Sequence, residues 1–432
     1  MNFIATEREP LSPLLKGLAS SAIGQPLDAL GGLGLSVLAD QLPFPIALLR
    51  DSAVTHNLDW MRGFTERADV VLCPHGKTTM SPQLFARQLA AGCWGLTAAT
   101  AAHVRTYRRF GAKRVILANQ LVGAANIDLV FDELTQDPDF DLYVLVDSVA
   151  GLDLLLAAAV RRRLGRPLQL LLEIGAPGGR AGVRTLEEGV AVGRAVRDAS
   201  PLVALRGVEA FEGIAGGANE SRAELAVYAM LDTLGAVARA GVEEGWFAPG
   251  EVLLTAGGSA FFDIAARALP AFEPSRARVV LRSGCYITHD ALHYARMQAR
   301  MRQRSTEFWG AGPGLKNALE VWSVVQSVPE AGRAIVALGK RDISYDLELP
   351  KPLWWFRHGH HRKPEPVDSD LRVTLLNDQH AYVDASAGAM PWRVGDLVGF
   401  GVGHPCTTFD KWAFMYTVDD SYRVTGGIRT YF

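Results

Sequence analysis

The sequence predicts an α/β barrel followed by a β domain, and three observations carry that prediction. Eight apolar, strand-like runs alternate with helical stretches between residues 69 and 304. Short polar motifs fall just after most of those runs. Beyond about Ser305 the helical pattern gives way to short strands between turns. Eight strands, most followed by a helix, is the count of a (β/α)8 barrel, whose strand ends converge on one face and carry the active site. A doubly wound open sheet has the same local pattern and stays open at this stage.

Residues 1–50 are a Leu- and Gly-rich lead with a short helix expected near 27–39, weakened by its glycines. Pro43 and Pro45 precede a strand at 46–50. Asp51 or Ser52 is placed to cap a helix through Thr65, with Leu58, Met61 and Phe64 at near-helical spacing. The barrel strands are expected at 69–73, 94–97, 114–118, 141–146, 168–174, 205–211, 251–255 and 278–281. Helices are expected at 100–110, 149–164, 186–199 and 223–240. In the last part, 319–328, 334–338, 371–377, 381–384, 397–402, 414–418 and 422–425 read as strands. The run 354–364, with His358, His360 and His361, reads as an irregular, solvated basic loop rather than a metal site. The division is therefore 1–50, 51–304 and 305–432.

At 432 residues the chain has room for two domains and a large core. Its 49% hydrophobic and 21% charged residues are those of a soluble globular protein. A formal charge of -2 gives no reason to expect nucleic acid or a membrane surface as partner. Cys73, Cys93, Cys285 and Cys406 are scattered, which argues for reduced thiols in a cytoplasmic protein. No apolar run reaches the length of a membrane span without a charge or breaker, and the first ten residues lack a signal-peptide pattern.

The chemistry centres on Cys73-Pro74-His75-Gly76-Lys77-Thr78-Thr79-Met80-Ser81-Pro82. Lys77 lies where a buried strand ends and the chain turns. In a dry pocket an ammonium loses its proton more easily, and a neutral amine is a nucleophile toward aldehydes. A lone lysine in a turn is also a common surface feature. Gly257-Gly258-Ser259 follows one strand and precedes a helix, so its N–H groups suit an anion such as a phosphate monoester, or simply make a tight turn. Ser283-Gly284, with Tyr286 nearby, is a similar candidate. Asn119-Gln120 offers a polar contact or a turn amide. His404 and Cys406 are ligand types at i and i+2, which face the same way in an extended segment and suit zinc. Asp410 could orient His404 or pair with Lys411.

Pro74-His75-Gly76-Lys77-Thr78, followed by Ser81-Pro82, resembles the pyridoxal-phosphate lysine motif of the D-threonine aldolase and D-serine dehydratase family, enzymes with the alanine-racemase type of fold. Gly403-His404-Pro405-Cys406-Thr407-Thr408-Phe409-Asp410-Lys411-Trp412 resembles the metal-binding end of the D-serine dehydratases. The resemblance implies a pyridoxal-phosphate-binding barrel of fold type III, with a C-terminal β domain that the 46–50 strand joins. It implies Lys77 as the lysine that carries pyridoxal phosphate, with His75 beside it. Arg180, in Glu173-Ile174-Gly175-Ala176-Pro177-Gly178-Gly179-Arg180-Ala181-Gly182-Val183, would face the pyridine nitrogen. Gly257, Gly258 and Ser259 would hold the phosphate, with Ser283, Gly284 and Tyr286 close by. His404 and Cys406 would bind Zn2+ or another divalent metal. The implied activity is dehydration and deamination of a β-hydroxy D-amino acid such as D-serine to a 2-oxo acid and ammonia, by a homodimer. Retro-aldol cleavage of D-threonine and racemisation are rival reactions on the same scaffold. A non-catalytic pyridoxal-phosphate-binding protein is a rival of another class, and the β domain counts against it.

Overall fold

Side-chain alternation builds the first sheet. The computed structural model describes residues 8–214, 220–272, 277–309 and 312–432. Strand β1 (Ile46–Arg50) runs straight into helix α1 (Asp51–Arg67). Eight parallel strands follow among the described residues: β2 (Val71–Leu72), β3 (Leu96–Ala98), β4 (Arg114–Gln120), β5 (Asp141–Val146), β6 (Leu168–Ile174), β7 (Val203–Ala210), β8 (Val252–Ala256) and β9 (Ala277–Leu281). They pair in chain order from β3 to β9, and β2 lies beside β9. The ring closes on the other side of β2. The Trp94 N–H donates to the Leu72 carbonyl at 2.7 Å, the Thr97 N–H donates to the Pro74 carbonyl at 2.8 Å, and His75 bridges Thr97. The sheet is therefore a closed barrel, and the open-sheet alternative falls.

Successive strand residues point to opposite faces. Val115 and Leu117, Leu142 and Val144, and Leu170 and Leu172 pack outward into the large core under the helices. Ile116, Tyr143, Leu145, Leu171, Leu253 and Val280 form a separate cluster in the barrel lumen. The next inward positions are polar: Glu173, Glu209, Thr255 and Arg282, all buried. The lumen thus has an apolar floor and a charged layer just beneath the C-terminal mouth of the strands.

The outer layer comprises α2 (Pro82–Ala90), α3 (Ala101–Arg109), α4 (Ala124–Gln136), α5 (Val149–Arg162), α6 (Leu186–Asp198), α7 (Glu220–Glu243), α8 (Phe262–Ala268) and α9 (His293–Arg304), with a short α10 (Thr306–Trp309) after them. Thr100 and Ser148 cap α3 and α5, and Thr185 and Glu188 form a capping box on α6. By length and composition α7 could cross a membrane, yet Val227, Leu231, Leu234 and Val237 are buried in the core under the barrel's helical layer.

The β domain contains β10 (Leu319–Glu330), β11 (Arg333–Val336), β12 (Lys351–Phe356), β13 (Glu365–Pro366), β14 (Leu371–Leu376), β15 (Ala381–Ala385), β16 (Leu397–Gly401), β17 (Phe414–Val418) and β18 (Val424–Arg429). Its main path is β13-β12-β16-β10-β1-β17-β18. Strand β1 is antiparallel to β10, with Ile46 opposite Trp322, and parallel to β17, with Leu48 opposite Tyr416. Ile46, Leu48, Trp322 and Tyr416 share a second core with the N-terminal lead.

Three local expectations are corrected. The 27–39 helix is two 3-10 segments, Leu27–Leu33 and Val37–Ala39, separated at Gly34 with φ 67°; three glycines in four residues cost too much backbone entropy for an α-helix. Asp51 does not cap α1 but is its first helical residue, and its carboxylate pairs with Arg87 at 2.6 Å. The start of the 354–364 run is strand, not loop. Trp354, Trp355 and Phe356 end β12, paired with β16, because large aromatic side chains suit a half-buried pleated surface. The loop begins at Arg357, which is tied to Asp396 at 2.7 Å, and the His361 ring packs edge-on against Trp355.

Candidate active site

β2 ends when the Cys73 N–H donates to the Leu281 carbonyl, and Gly76–Thr78 then forms one 3-10 turn. Gly76 has to be glycine, since a Cβ there would lie 2.6 Å from the Tyr107 hydroxyl. Pro82 at the first turn of α2 ends the excursion. The turn presents Lys77, half-buried, at the C-terminal mouth of the barrel. Its ammonium makes no ion pair or hydrogen bond with the described residues. His75 lies beside it, with a buried Nδ1 that has no hydrogen-bond partner among the described residues. Burial first, and then the positive charges of Lys77, Arg282 and Arg180, hold the His75 imidazole well below its ordinary pKa, so it is neutral at pH 7.

Gly284, at the end of β9, presses on this turn. A Cβ there would sit 2.6 Å from both the His75 carbonyl oxygen and the Thr78 hydroxyl. A Gly284→Ala variant is expected to lose about 1–3 kcal/mol of stability through overpacking and to displace Lys77; urea melts and cofactor titration check this. Parent-like behaviour in both would show that the contact yields freely.

Beneath the turn, Arg282 is completely buried. It donates to the Ala210 carbonyl at 2.8 Å and faces Glu209 at 3.3 Å. Burial outweighs Arg282 and pushes the Glu209 carboxyl up to about 8. Glu173, opposite Glu209 across β6 and β7, accepts from Gln120, and burial raises it as well. Sequence reading missed this layer; the only trace of it was charged residues at the inward period of apolar strands.

The Gly257-Gly258-Ser259 turn has Gly257 at φ 85°, a conformation that favours glycine. Both glycine N–H groups donate to the carboxylate of Glu212, a fully buried side chain just past β7. Burial raises the Glu212 pKa. The Ser259 hydroxyl accepts from the Cys285 N–H at 3.2 Å, and the Ser283 hydroxyl donates to the Gly257 carbonyl at 2.9 Å. Ser259, Ser283 and Gly284 are thus brought together, while the two glycine donors are already engaged.

Arg180 is exposed on the loop after β6, with its guanidinium 5.0 Å from the Phe211 ring. Tyr286 is not brought to Lys77. Its hydroxyl points to Gln88 and Cys93, in the layer outside the barrel. Asn119 donates its amide to the Ala99 carbonyl past the neighbouring strand end and accepts from the Gln120 N–H locally, whereas the Gln120 side chain belongs to the charged layer.

The C-terminal motif reaches the same mouth. Its segment is not extended: Pro405 is already helical and Cys406 opens a one-turn helix, α11 (Cys406–Phe409). The shared facing expected of an i, i+2 pair in an extended segment therefore does not apply. The His404 Nδ1 bonds the Asp346 carboxylate at 2.5 Å, so Asp346 orients it, while Asp410 lies 3.8 Å from Lys411. The Cys406 Sγ points inward, 3.5 Å from the Thr78 hydroxyl and 3.6 Å from the Cys285 Sγ. The Cys285 hydrogen bond, followed by the Thr78 hydroxyl and the Lys77 charge, pulls the Cys406 thiol below its ordinary pKa. Among the described residues no group of three or more His, Cys, Asp or Glu side chains is placed to hold a metal ion.

Residues 50–252 match the family described as "Alanine racemase, N-terminal domain", and residues 318–418 match the "Putative serine dehydratase domain". The first match falls on the barrel and the second on the β domain, and the fold is of the alanine-racemase type. The D-threonine aldolase of Arthrobacter sp is 26% identical over 418 residues, covering 94% of this chain and 95% of that protein. The structure of D-threonine aldolase from Filomicrobium marinum superposes with a TM-score of 0.72 at 20% identity, over 92% of this chain and 97% of the other. That of D-threo-3-hydroxyaspartate dehydratase from Delftia sp. HT23 gives 0.71 at 20% identity, over 90% and 97%. Both structural likenesses are of fold, the barrel and β domain described above.

Proposed function

We propose that the chain is a pyridoxal-phosphate- and metal-dependent lyase of β-hydroxy D-amino acids, converting a D-serine-like substrate to a 2-oxo acid and ammonia. The observation that supports it most is the meeting of two motifs 328 residues apart, where Cys406 reaches Thr78 next to Lys77. The residues at the mouth fit the cofactor. Among the described residues Lys77 has no competing partner and the buried His75 Nδ1 has none either, and Ser259, Ser283 and Gly284 lie at adjoining strand ends. When bound, pyridoxal phosphate supplies an electron sink for charge developing at the α-carbon.

Lys77 would hold the cofactor and then move the α-proton, a role for an amine on a flexible stem with no ion-pair partner. The neutral His75 limits the positive charge beside Lys77. His404, with its Nδ1 taken by Asp346, and Cys406 would hold the divalent ion, which supplies Lewis-acid polarisation of a substrate oxygen. A homodimer is part of the same reading, and light scattering after gel filtration reads it directly.

The motif Cys406-Thr407-Thr408-Phe409-Asp410-Lys411-Trp412 favours dehydration. The D-threonine aldolase relative, aligned over nearly the whole chain, favours retro-aldol cleavage as the second reading. Product analysis decides between them. The purified protein is incubated with D-serine, D-threonine and their L-forms, with and without a chelator. The expected outcome is equal 2-oxo acid and ammonia from a D-substrate, abolished by the chelator. Glycine plus an aldehyde would replace dehydration with aldol cleavage, and turnover of L-forms alone would overturn both.

A further inference from the structure

The turns after β8 and β9 are laced together. The Arg282 N–H and the Ser283 hydroxyl both donate to the Gly257 carbonyl, at 3.1 and 2.9 Å, and the Cys285 N–H donates to the Ser259 hydroxyl at 3.2 Å. Four N–H groups are left over along these two turns. Those of Ser259, Ala260, Ser283 and Gly284 donate to no group among the described residues. Ser283 is completely buried, and a buried N–H without an acceptor is rare in a folded protein. The Ser259 hydroxyl, which accepts from Cys285, still has its own proton to give. A phosphate monoester, with several acceptor oxygens on one centre, matches such a set of donors.

The N–H groups of Gly257 and Gly258 are not among them. Both go to the Glu212 carboxylate, which is fully buried at the end of the neighbouring strand β7. A Cβ on Gly258 would lie 3.3 Å from that carboxylate and 3.1 Å from the Phe211 ring, so the turn is pressed onto the segment that carries Glu212. Bonds from consecutive N–H groups to one carboxylate are strong and directional. They fix two peptide planes of the turn, and with them the start of the next plane, which carries the Ser259 N–H.

We propose that Glu212 is a positioning residue for the phosphate of the cofactor: it takes the two glycine N–H groups and so holds the turn in the conformation that leaves the Ser259 and Ala260 N–H groups, beside those of Ser283 and Gly284, for the phosphate. This role rests on the cofactor reading above and deepens it. Glu212 acts through the turn and not by contact with the cofactor. Gly257 and Gly258 then belong to the support of the phosphate site rather than to its lining.

The test uses the full chain, freed of cofactor and titrated with pyridoxal phosphate and, separately, with pyridoxal, which has the same ring and aldehyde without the phosphate. Near-visible absorbance of the lysine-bound aldehyde reads both affinities. Glu212→Ala is expected to weaken pyridoxal phosphate binding at least about 10-fold, the scale of one hydrogen bond to a charged group, and to leave pyridoxal binding unchanged. The preference for the phosphorylated form shrinks accordingly. Glu212→Gln keeps the size and one acceptor oxygen, so its loss is expected to be smaller, and it decides the matter if Glu212→Ala fails to fold. Equal losses for the two ligands would mark a carboxylate that only supports the fold, and tighter pyridoxal phosphate binding would mark one that competes with the phosphate. Either result, or a parent-like preference in the folded variants, would overturn the role of Glu212 and leave the cofactor reading standing. An unmutated chain that binds neither ligand would overturn the cofactor reading itself, and this role with it.

Discussion

A Lys77→Ala variant is expected to lose turnover by at least about 10^4-fold, the upper range for a positioned acid–base group, and to lose the near-visible absorbance of a lysine-bound aldehyde cofactor. The structure isolates this effect. Lys77 is half-buried at the mouth of the barrel, with no ion pair or hydrogen bond to the described residues, so its removal leaves no orphaned partner. Stability is expected to change by no more than about 0.5 kcal/mol, as for a substitution that breaks no buried contact. Lys77→Arg should be nearly as inactive, because a guanidinium stays protonated and cannot act as a nucleophile. Product formation and an absorbance titration in one preparation separate the two losses. Turnover at the parent rate in Lys77→Ala would sink the assignment.

The second large effect is on the fold. Arg282→Leu should destabilise the protein by about 1–3 kcal/mol near neutral pH, the cost of leaving the buried Ala210 carbonyl and Glu209 carboxyl without their donor. Part of that loss should depend on pH. The folded Glu209 carboxyl holds its proton up to about pH 8, against an ordinary value of 4.5. Between those values the folded state binds more protons than the unfolded state, so stability falls as pH rises through that window and stays low above it. Without Arg282 the folded carboxyl should hold its proton to still higher pH. The variant's deficit is therefore smallest near pH 5 and grows toward pH 9. Adding Glu209→Gln should flatten the pH dependence. Urea melts from pH 5 to 9 check this, and a deficit independent of pH would show that Glu209 does not sense Arg282.

The barrel was legible because its strands are dense apolar runs and its helices have clear starts, such as Thr100, Ser148 and Thr185. The lysine turn was legible because its motif is local. What escaped was what depends on which distant residues meet. Nothing in the spacing of Cys285 and Cys406 says that their sulfurs touch. Nothing in Phe211-Glu212-Gly213 says that this carboxylate will take the N–H groups of a glycine turn 45 residues later. The extended geometry expected of His404 to Cys406 failed because Pro405 starts a helical turn. Strand β12 was missed because its aromatic end merges in sequence with the histidine-rich loop that follows.

The place of β1 in the β domain has a consequence for how the molecule is made. Residues 46–50 lie between β10 and β17, so their partners, among them Trp322 and Tyr416, leave a ribosome only after the barrel strands have done so. The barrel can close while β1 and the apolar lead still lack the surface that covers them. Such exposed apolar chain is prone to aggregate, and pairing over this distance in sequence is slow. Production of the recombinant protein should therefore gain more from slower synthesis and chaperones than the barrel's regular architecture suggests. A fragment ending near residue 304 should keep a sticky N-terminal strand that its maker would do well to remove.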